Sequence, residues 1–434
     1  MSPPLALLGQ RRLSSRRRQI TLDNQLISVL YFSNVLVRGG AEEHILTLLR
    51  GLDRASFRLH LVCAPELAAK LQPDLPGDVE VVPLRFRKFT QVAAGLRLAQ
   101  IIHERRVSIL HSHLFYGSLF ASPIGWLCRV PVILETPHLR EQWRRGWFKS
   151  RFIVDRLVGR FVDYYIAVSE ANACYLVEQK GLPTEKIVVI QNGCDLKRFD
   201  PARPAPSGLK RSLAFGENDP VLIVIGRLEP QKGHGVLLES LPVVRRAFPH
   251  VRLVCVGEGT LQDELERQVG RLGLEASVRF VGYQSDVMEW LAMADIAVLP
   301  SYYEGLPLVA IESLAAGRPV VATAVDGTPE VVVDGKTGLT VRPGDVVQLA
   351  DAISRLLRDP ELRESLGRAG RQWVQERFSH ERQIEKTQQF YLKVWEMRNR
   401  LARDGAKIGE ANGRRPPRNE ALLRERVTWG RKLD

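Results

Sequence analysis

Twice along this chain, short continuous runs rich in Val, Ile and Leu alternate with stretches of helical period, and this pattern limits the possible folds more than any other feature. In the first half the runs are Ile27–Phe32, Arg58–Cys63, Val79–Leu84, Ser108–His113, Val130–Glu135, Tyr164–Val168 and Ile187–Ile190. The second half has Val221–Ile225, Val251–Val256, Val278–Val281, Ile296–Leu299 and Pro319–Ala322. A strand with one wet face alternates polar and apolar residues, whereas a continuous run is covered on both faces, as in a parallel sheet between helices. The intervening Glu42–Leu52 sets Ile45, Leu48, Leu49 and Leu52 on one helical face. The expectation is an α/β chain of two doubly wound, Rossmann-like domains facing a central cleft, with ligands at the carboxyl ends of the strands.

Asp200-Pro-Ala-Arg-Pro-Ala-Pro-Ser-Gly208 is the natural boundary, because its prolines and glycine continue neither a helix nor a central strand. This gives a basic extension over 1–24, a first domain over 25–205 and a second over 206–379. An amphipathic helix within 380–397, carrying Phe390, Tyr391 and Trp395, is expected to pack back on the first domain. A basic tail over 398–434 follows.

The formal net charge is +13 over 434 residues, which at first suggests a polyanion partner. Its distribution argues otherwise. Arg11, Arg12, Arg16, Arg17 and Arg18 give the N-terminal end +5, the tail from residue 398 carries +6, and the body between them keeps +2. A basic folded body is excluded, and no aromatic stacking pattern accompanies the tails, so nucleic acid is not an expected partner. Cys63, Cys128, Cys174, Cys194 and Cys255 are odd in number and widely spaced, as in a reduced, cytoplasmic protein rather than a disulfide or zinc framework. The longest apolar stretch, Gly117–Leu134, is interrupted by Pro123, Arg129 and Pro131, and Leu5–Leu8 is too short for a secretory core. Residues 138–160 interleave Arg140, Arg144, Arg145, Lys149, Arg151, Arg156 and Arg160 with Trp143, Trp147, Phe148 and Phe152. With the tails, they suggest peripheral attachment to an anionic membrane surface.

Three post-strand loops carry the chemistry. Arg38-Gly39-Gly40-Ala41-Glu42 opens a helix, where backbone N–H groups and the helix dipole favour an anion, but it lacks the dinucleotide GxGxxG spacing. Gly226-Arg227-Leu228-Glu229-Pro230-Gln231-Lys232-Gly233 sets an Arg fork and a Lys point charge five residues apart, a pair suited to a diphosphate. In Ser301–Glu312, Glu304 lies in a loop, Gly305 and Pro307 start a short helix, and Glu312 lies inside it among apolar residues. Such a carboxylate needs hydrogen-bond donors, which sugar or ribose hydroxyls supply. His111, His113 and His138 end two strands. His111 and His113 share a face, but no Asp or Glu nearby in sequence completes a metal set, so all three are candidates for contact with substrate or acceptor.

Taken together, these motifs resemble the retaining glycosyltransferases of family 4, which have the two-domain GT-B fold (glycosyl transferases group 1). The likeness covers about residues 25–397 and also includes Asn192-Gly193-Cys194-Asp195 with Phe199, Val256-Gly257-Glu258-Gly259, Phe280-Val281-Gly282 and Gly327-Thr328-Pro329-Glu330. Cys194 stands where the family often has Val or Ile, and Thr328 where a second glycine is common. The resemblance implies transfer from a nucleotide-diphosphate sugar, bound mainly by the second domain, to an acceptor bound mainly by the first. A lipid-linked or cell-envelope glycan is the expected acceptor. Arg227 and Lys232 would neutralise the leaving diphosphate, with help from the backbone at Gly39, Gly40, Gly305, Leu306, Pro307 and Leu308. Glu304 would hold sugar hydroxyls, Glu312 ribose hydroxyls, and His113 the sugar from the first domain, with His111 and His138 as acceptor or cleft candidates. No metal or other cofactor is implied, in keeping with the absence of any Asp-x-Asp pair. Two other readings are a nucleotide-sugar epimerase of the same fold, disfavoured by the paired glutamates, and a non-catalytic membrane-attached scaffold, disfavoured by the intact charged positions.

Overall fold

The computed structural model describes residues 26–36, 38–86, 91–138, 140–141 and 152–412, with side chains as far as Leu401. The N-terminal extension, residues 142–151 of the basic-aromatic segment and the tail beyond 412 lie outside the described residues. The first sheet contains β1 (Ile27–Ser33), β2 (Phe57–Cys63), β3 (Glu80–Pro83), β4 (Ile109–His113), β5 (Val132–Thr136), β6 (Tyr164–Ala167) and β7 (Ile187–Val189), in the order β3-β2-β1-β4-β5-β6-β7. The second contains β8 (Val221–Ile225), β9 (Arg252–Val256), β10 (Val278–Phe280), β11 (Ile296–Leu299), β12 (Val320–Thr323) and β13 (Gly338–Val341), in the order β10-β9-β8-β11-β12-β13. Every pairing is parallel. The strand order reverses between β1 and β4, where Ser33 pairs with His113, and between β8 and β11, where Leu222 pairs with Ile296. These two switch points are where a doubly wound sheet opens a crevice.

The continuous apolar runs are explained by burial on both faces. Along β1, Val29 and Tyr31 pack with Leu48 and Leu49 of the Gly40–Gly51 helix, while Leu30 and Phe32 pack with Leu98 and Ile102 on the other side. In β8, Val221 and Ile223 face Leu314 and Phe378, and Leu222 and Val224 face Leu237 and Leu241. Each such side chain contributes about 1.5–3 kcal/mol of burial. Among the described residues, no helix is long and apolar enough to cross a membrane.

After the Pro360–Arg377 helix the chain crosses back, and the helix His380–Asn412 returns to the first sheet, where Phe390, Tyr391 and Val394 complete the core. It continues past Met397, where the sequence pattern predicted its end. Gly405 and Gly409 each cost only about 1 kcal/mol relative to Ala, and the Ala, Lys and Glu around them favour helix. At the crossover Cys194 N–H donates to the Phe378 carbonyl (2.8 Å) and His380 N–H donates to the Cys194 carbonyl (3.0 Å). Gly193 has no room for a side chain here, since a Cβ would lie on the Ser379 carbonyl.

Candidate active site

The carboxyl ends of the two sheets face a cavity of about 340 Å³. On the second domain, the loop after β8 makes one 3-10 turn, Pro230–Lys232, and Gly233 then takes a left-handed conformation (φ 65°) before the His234–Ala247 helix. A side chain at Gly233 would also collide with the Pro300 carbonyl. Lys232 is thereby held in the cavity wall. Its Nζ lies 2.6 Å from Glu304 Oε1, and Ser301 Oγ donates to that same oxygen at 2.7 Å. Glu304 is buried, and its own N–H donates to Asp326 Oδ2 at 2.9 Å. Arg227 also lines the cavity, is exposed, and among the described residues pairs with no carboxylate. On the same cavity the Leu308–Ala315 helix begins at Pro307 with no side-chain cap, so its first turn presents uncapped N–H groups. Gly305, Leu306, Pro307 and Leu308 all line the cavity. The second-domain wall therefore brings the unpaired Arg227 and uncapped helix N–H groups to one cavity, a combination suited to an anionic ligand.

The first-domain wall is partly self-neutralised. Gly39 N–H, expected to serve a phosphate, donates to Glu42 Oε2 at 3.0 Å, and Ser33 Oγ approaches Oε1 at 3.4 Å. Burial pushes the Glu42 carboxyl up to about 7. Arg38 lines the same wall but is held by Glu43 (2.6 Å) and Asp74 (2.5 Å). Gly40 lies directly against the Leu308 side chain, so here the two walls nearly touch.

The structure corrects two of the three histidines expected at the cleft. His111 and His113 do share a face of β4, with ring centroids 4.3 Å apart, but the C-terminal helix covers that face and both are fully buried. His111 Nδ1 meets the Tyr391 hydroxyl at 2.6 Å and Nε2 meets Thr136 Oγ1 at 2.7 Å, which makes it a satisfied core residue. His113 lies one layer behind the wall, its Nδ1 2.8 Å from Nε2 of His138. His138, in a left-handed conformation (φ 63°), is the histidine that lines the cavity. Burial holds all three imidazoles below the usual histidine range. Among the described residues, no group of three or more His, Cys, Asp or Glu is arranged to hold a metal ion.

Glu312 is partly exposed, lies outside the residues lining the cavity, and among the described residues no donor bonds its carboxylate. Burial pushes it up to about 8, with Arg198 opposing and Glu43 adding to the rise.

Residues 38–198 match Glycosyltransferase Family 4 and residues 208–373 match Glycosyl transferases group 1. A glycogen synthase of Mycobacterium tuberculosis is 33% identical, over 69% of this chain and 73% of that protein. The chain belongs to glycosyltransferase family 4. An alpha-maltose-1-phosphate synthase of Mycolicibacterium smegmatis is 30% identical to this glycosyltransferase, over 82% of the chain and 96% of that protein. A GDP-mannose-dependent alpha-(1-6)-phosphatidylinositol monomannoside mannosyltransferase of the same organism is 33% identical over 50% of the chain and 59% of that protein. Anabaena Alr3699/HepE, solved in complex with UDP and glucose, superposes with a TM-score of 0.74 at 22% identity, covering 85% of this chain and all of that one. That likeness shows the GT-B fold.

Several residues at the glycosyltransferase site escape a reading by motif. Asp326, a non-glycine at φ 42°, supports the Glu304 N–H and also bridges the domains to Arg140 at 3.2 Å. Its signal was its place immediately before Gly327-Thr328-Pro329-Glu330. Glu330 itself does not face the cavity. Its carboxylate accepts from Ala171 N–H (3.0 Å), Glu170 N–H (3.2 Å) and Gln191 Nε2 (2.8 Å), capping the Glu170–Glu178 helix of the other domain. Ser169 Oγ adds a bond to the Gly305 carbonyl at 3.0 Å. Of the basic-aromatic segment, Arg140 and Arg156 are engaged within the protein, Arg156 donating to the Lys180 carbonyl at 2.9 Å.

Proposed function

We propose that this glycosyltransferase moves a sugar from a nucleotide-diphosphate sugar to an acceptor hydroxyl, with retention of anomeric configuration and without a metal ion. The observation that carries this is the unpaired Arg227, lining one cavity together with Lys232 and an uncapped helix N-terminus. Fixed cations and N–H dipoles stabilise the diphosphate as its bond to the anomeric carbon breaks. A phosphate oxygen of the leaving group takes the acceptor's proton while the acceptor oxygen bonds the same face of that carbon. Charge and protons balance without a protein nucleophile, and two-carboxylate glycosidase chemistry is unnecessary for so good a leaving group. Glu304 receives sugar hydroxyls, Glu312 receives ribose hydroxyls, and His138, rather than His113, contacts the sugar from the first domain. The Gly282–Tyr283 loop beside Glu258 is the place for the base. Closure of the domains over the donor excludes water.

A lipid-linked or cell-envelope glycan is the proposed acceptor, supported by the mannosyltransferase relative named above. The proposed place of work is the cytoplasmic face of a membrane. Val92 and Leu96 of one helix and Trp126 and Leu127 of its neighbour are exposed, and they would supply apolar contact to such a surface. Co-sedimentation should favour anionic over neutral vesicles and weaken at high salt. Equal binding to both would remove the membrane reading.

The test of function is a thermal-shift screen with UDP-, GDP- and ADP-sugars, followed by NMR of the product formed in EDTA. One donor is expected to raise the unfolding temperature and yield product of unchanged anomeric configuration. An inverted product, or activity abolished by EDTA, would overturn the mechanism.

A further inference from the structure

The buried pair His113–His138 has a consequence for the cleft, and it rests on the reading of that cleft as the donor-sugar site. His113 Nδ1 and His138 Nε2 are 2.8 Å apart, so one carries the proton and the other accepts it. Burial keeps both rings neutral, leaving one N–H on each. The second nitrogens differ. Among the described residues neither has a partner, but His113 Nε2 is sealed from solvent, whereas His138 Nδ1 is not, its ring lining the cavity.

Two arrangements satisfy the 2.8 Å bond. If His138 donates, His113 must bury an unpaired N–H at Nε2. If His113 donates from Nδ1, the buried orphan is only a lone pair, a smaller loss than an orphaned N–H. We infer that His113 is a positioning residue that donates from Nδ1 to His138 Nε2 and thereby fixes His138 as its Nδ1–H tautomer. His138 then presents a permanent donor to the cavity, aimed by its left-handed backbone. That donor recognises a lone pair on a ligand oxygen, such as a sugar hydroxyl acting as acceptor or a phosphate oxygen.

The test is the ring-nitrogen pattern of His138 in long-range 1H–15N spectra of the full chain, recorded without donor. Nδ1–H is expected, although free imidazole prefers Nε2–H. Finding Nε2–H would overturn the inference. His113→Leu should convert His138 to Nε2–H and lower kcat/KM for the donor about tenfold or more. His113→Asn, whose amide stands where Nδ1 donates, should stay within about threefold. Wild-type kinetics in His113→Leu would also overturn it. Should that variant fail to fold, the wild-type spectrum and His113→Asn still decide. If Nδ1–H is found and no nucleotide sugar binds, the donor-site reading fails while this one stands.

Discussion

Lys232 Nζ and Glu304 Oε1 lie 2.6 Å apart, so the residues proposed to serve the phosphate and the sugar neutralise one another before any donor arrives. Phosphate oxygens must compete with Glu304 for the ammonium, and sugar hydroxyls then replace Lys232 at the carboxylate. The donor thus completes an arrangement that is already electrostatically closed. On the sequence alone, replacing either residue is expected to abolish transfer and leave folding intact. The ion pair changes that expectation for one of them. Lys232→Ala strands a buried carboxylate and should cost about 1–3 kcal/mol of stability as well as about a hundredfold or more in turnover. Glu304→Gln should lose transfer with less than about 1 kcal/mol change, because Lys232 is partly exposed and rehydrates. Thermal unfolding and turnover of both variants check this, and near-wild-type turnover in either would refute the assignment.

Glu312 predicts a pH-dependent nucleotide affinity. Its carboxyl is held up to about 8 by burial and must be ionised to receive two hydroxyls. Binding lowers that value and releases a proton, so affinity should rise with pH until about 8 and then level off. Calorimetry near pH 7 in buffers of different ionisation enthalpy should show proton release in the wild type and a smaller release in Glu312→Gln. Identical release in the two would count against the role.

Glu42 predicts a stability effect with a defined sign. Its folded-state value of about 7 lies above the ordinary 4.5, so between those values the folded state holds a proton that the unfolded state has lost. Stability therefore falls as pH rises through that window, and the whole penalty is present above about 7. Glu42→Gln should match the wild type near pH 4 and exceed it by about 3 kcal/mol at pH 8. Parallel melting curves across pH would contradict the assignment.

Gly193→Ala should destabilise by about 1–3 kcal/mol or more, because the new methyl meets the Ser379 carbonyl, which two backbone hydrogen bonds at Cys194 hold in place. Its denaturation midpoint reads this directly, and an unchanged midpoint would mean that the crossover yields freely.

What could be read from the sequence followed from what is local. Continuous apolar runs located twelve strands because covering on both faces leaves its mark on each run. The loop from Gly226 to Gly233 announced its cations because a strand end, a proline and a glycine fix its path. β13 escaped because Gly338-Leu-Thr-Val is short and offers only Leu339 and Val341 to the core. The histidines were misread for another reason. Period two correctly put His111 and His113 on one face, but what covers that face is Tyr391, 280 residues beyond His111. Asp326 was missed because its job, holding the Glu304 N–H, exists only once two loops have met.

The hydroxyls of Tyr31 and Tyr391 are 3.1 Å apart yet 360 residues apart in the chain. At roughly 5–20 residues per second of synthesis, about 20–70 s separate the emergence of the two from a ribosome. Until Phe390, Tyr391 and Val394 arrive, the side of the first sheet that receives them lacks its apolar cover. The portion of this protein made first is the portion finished last.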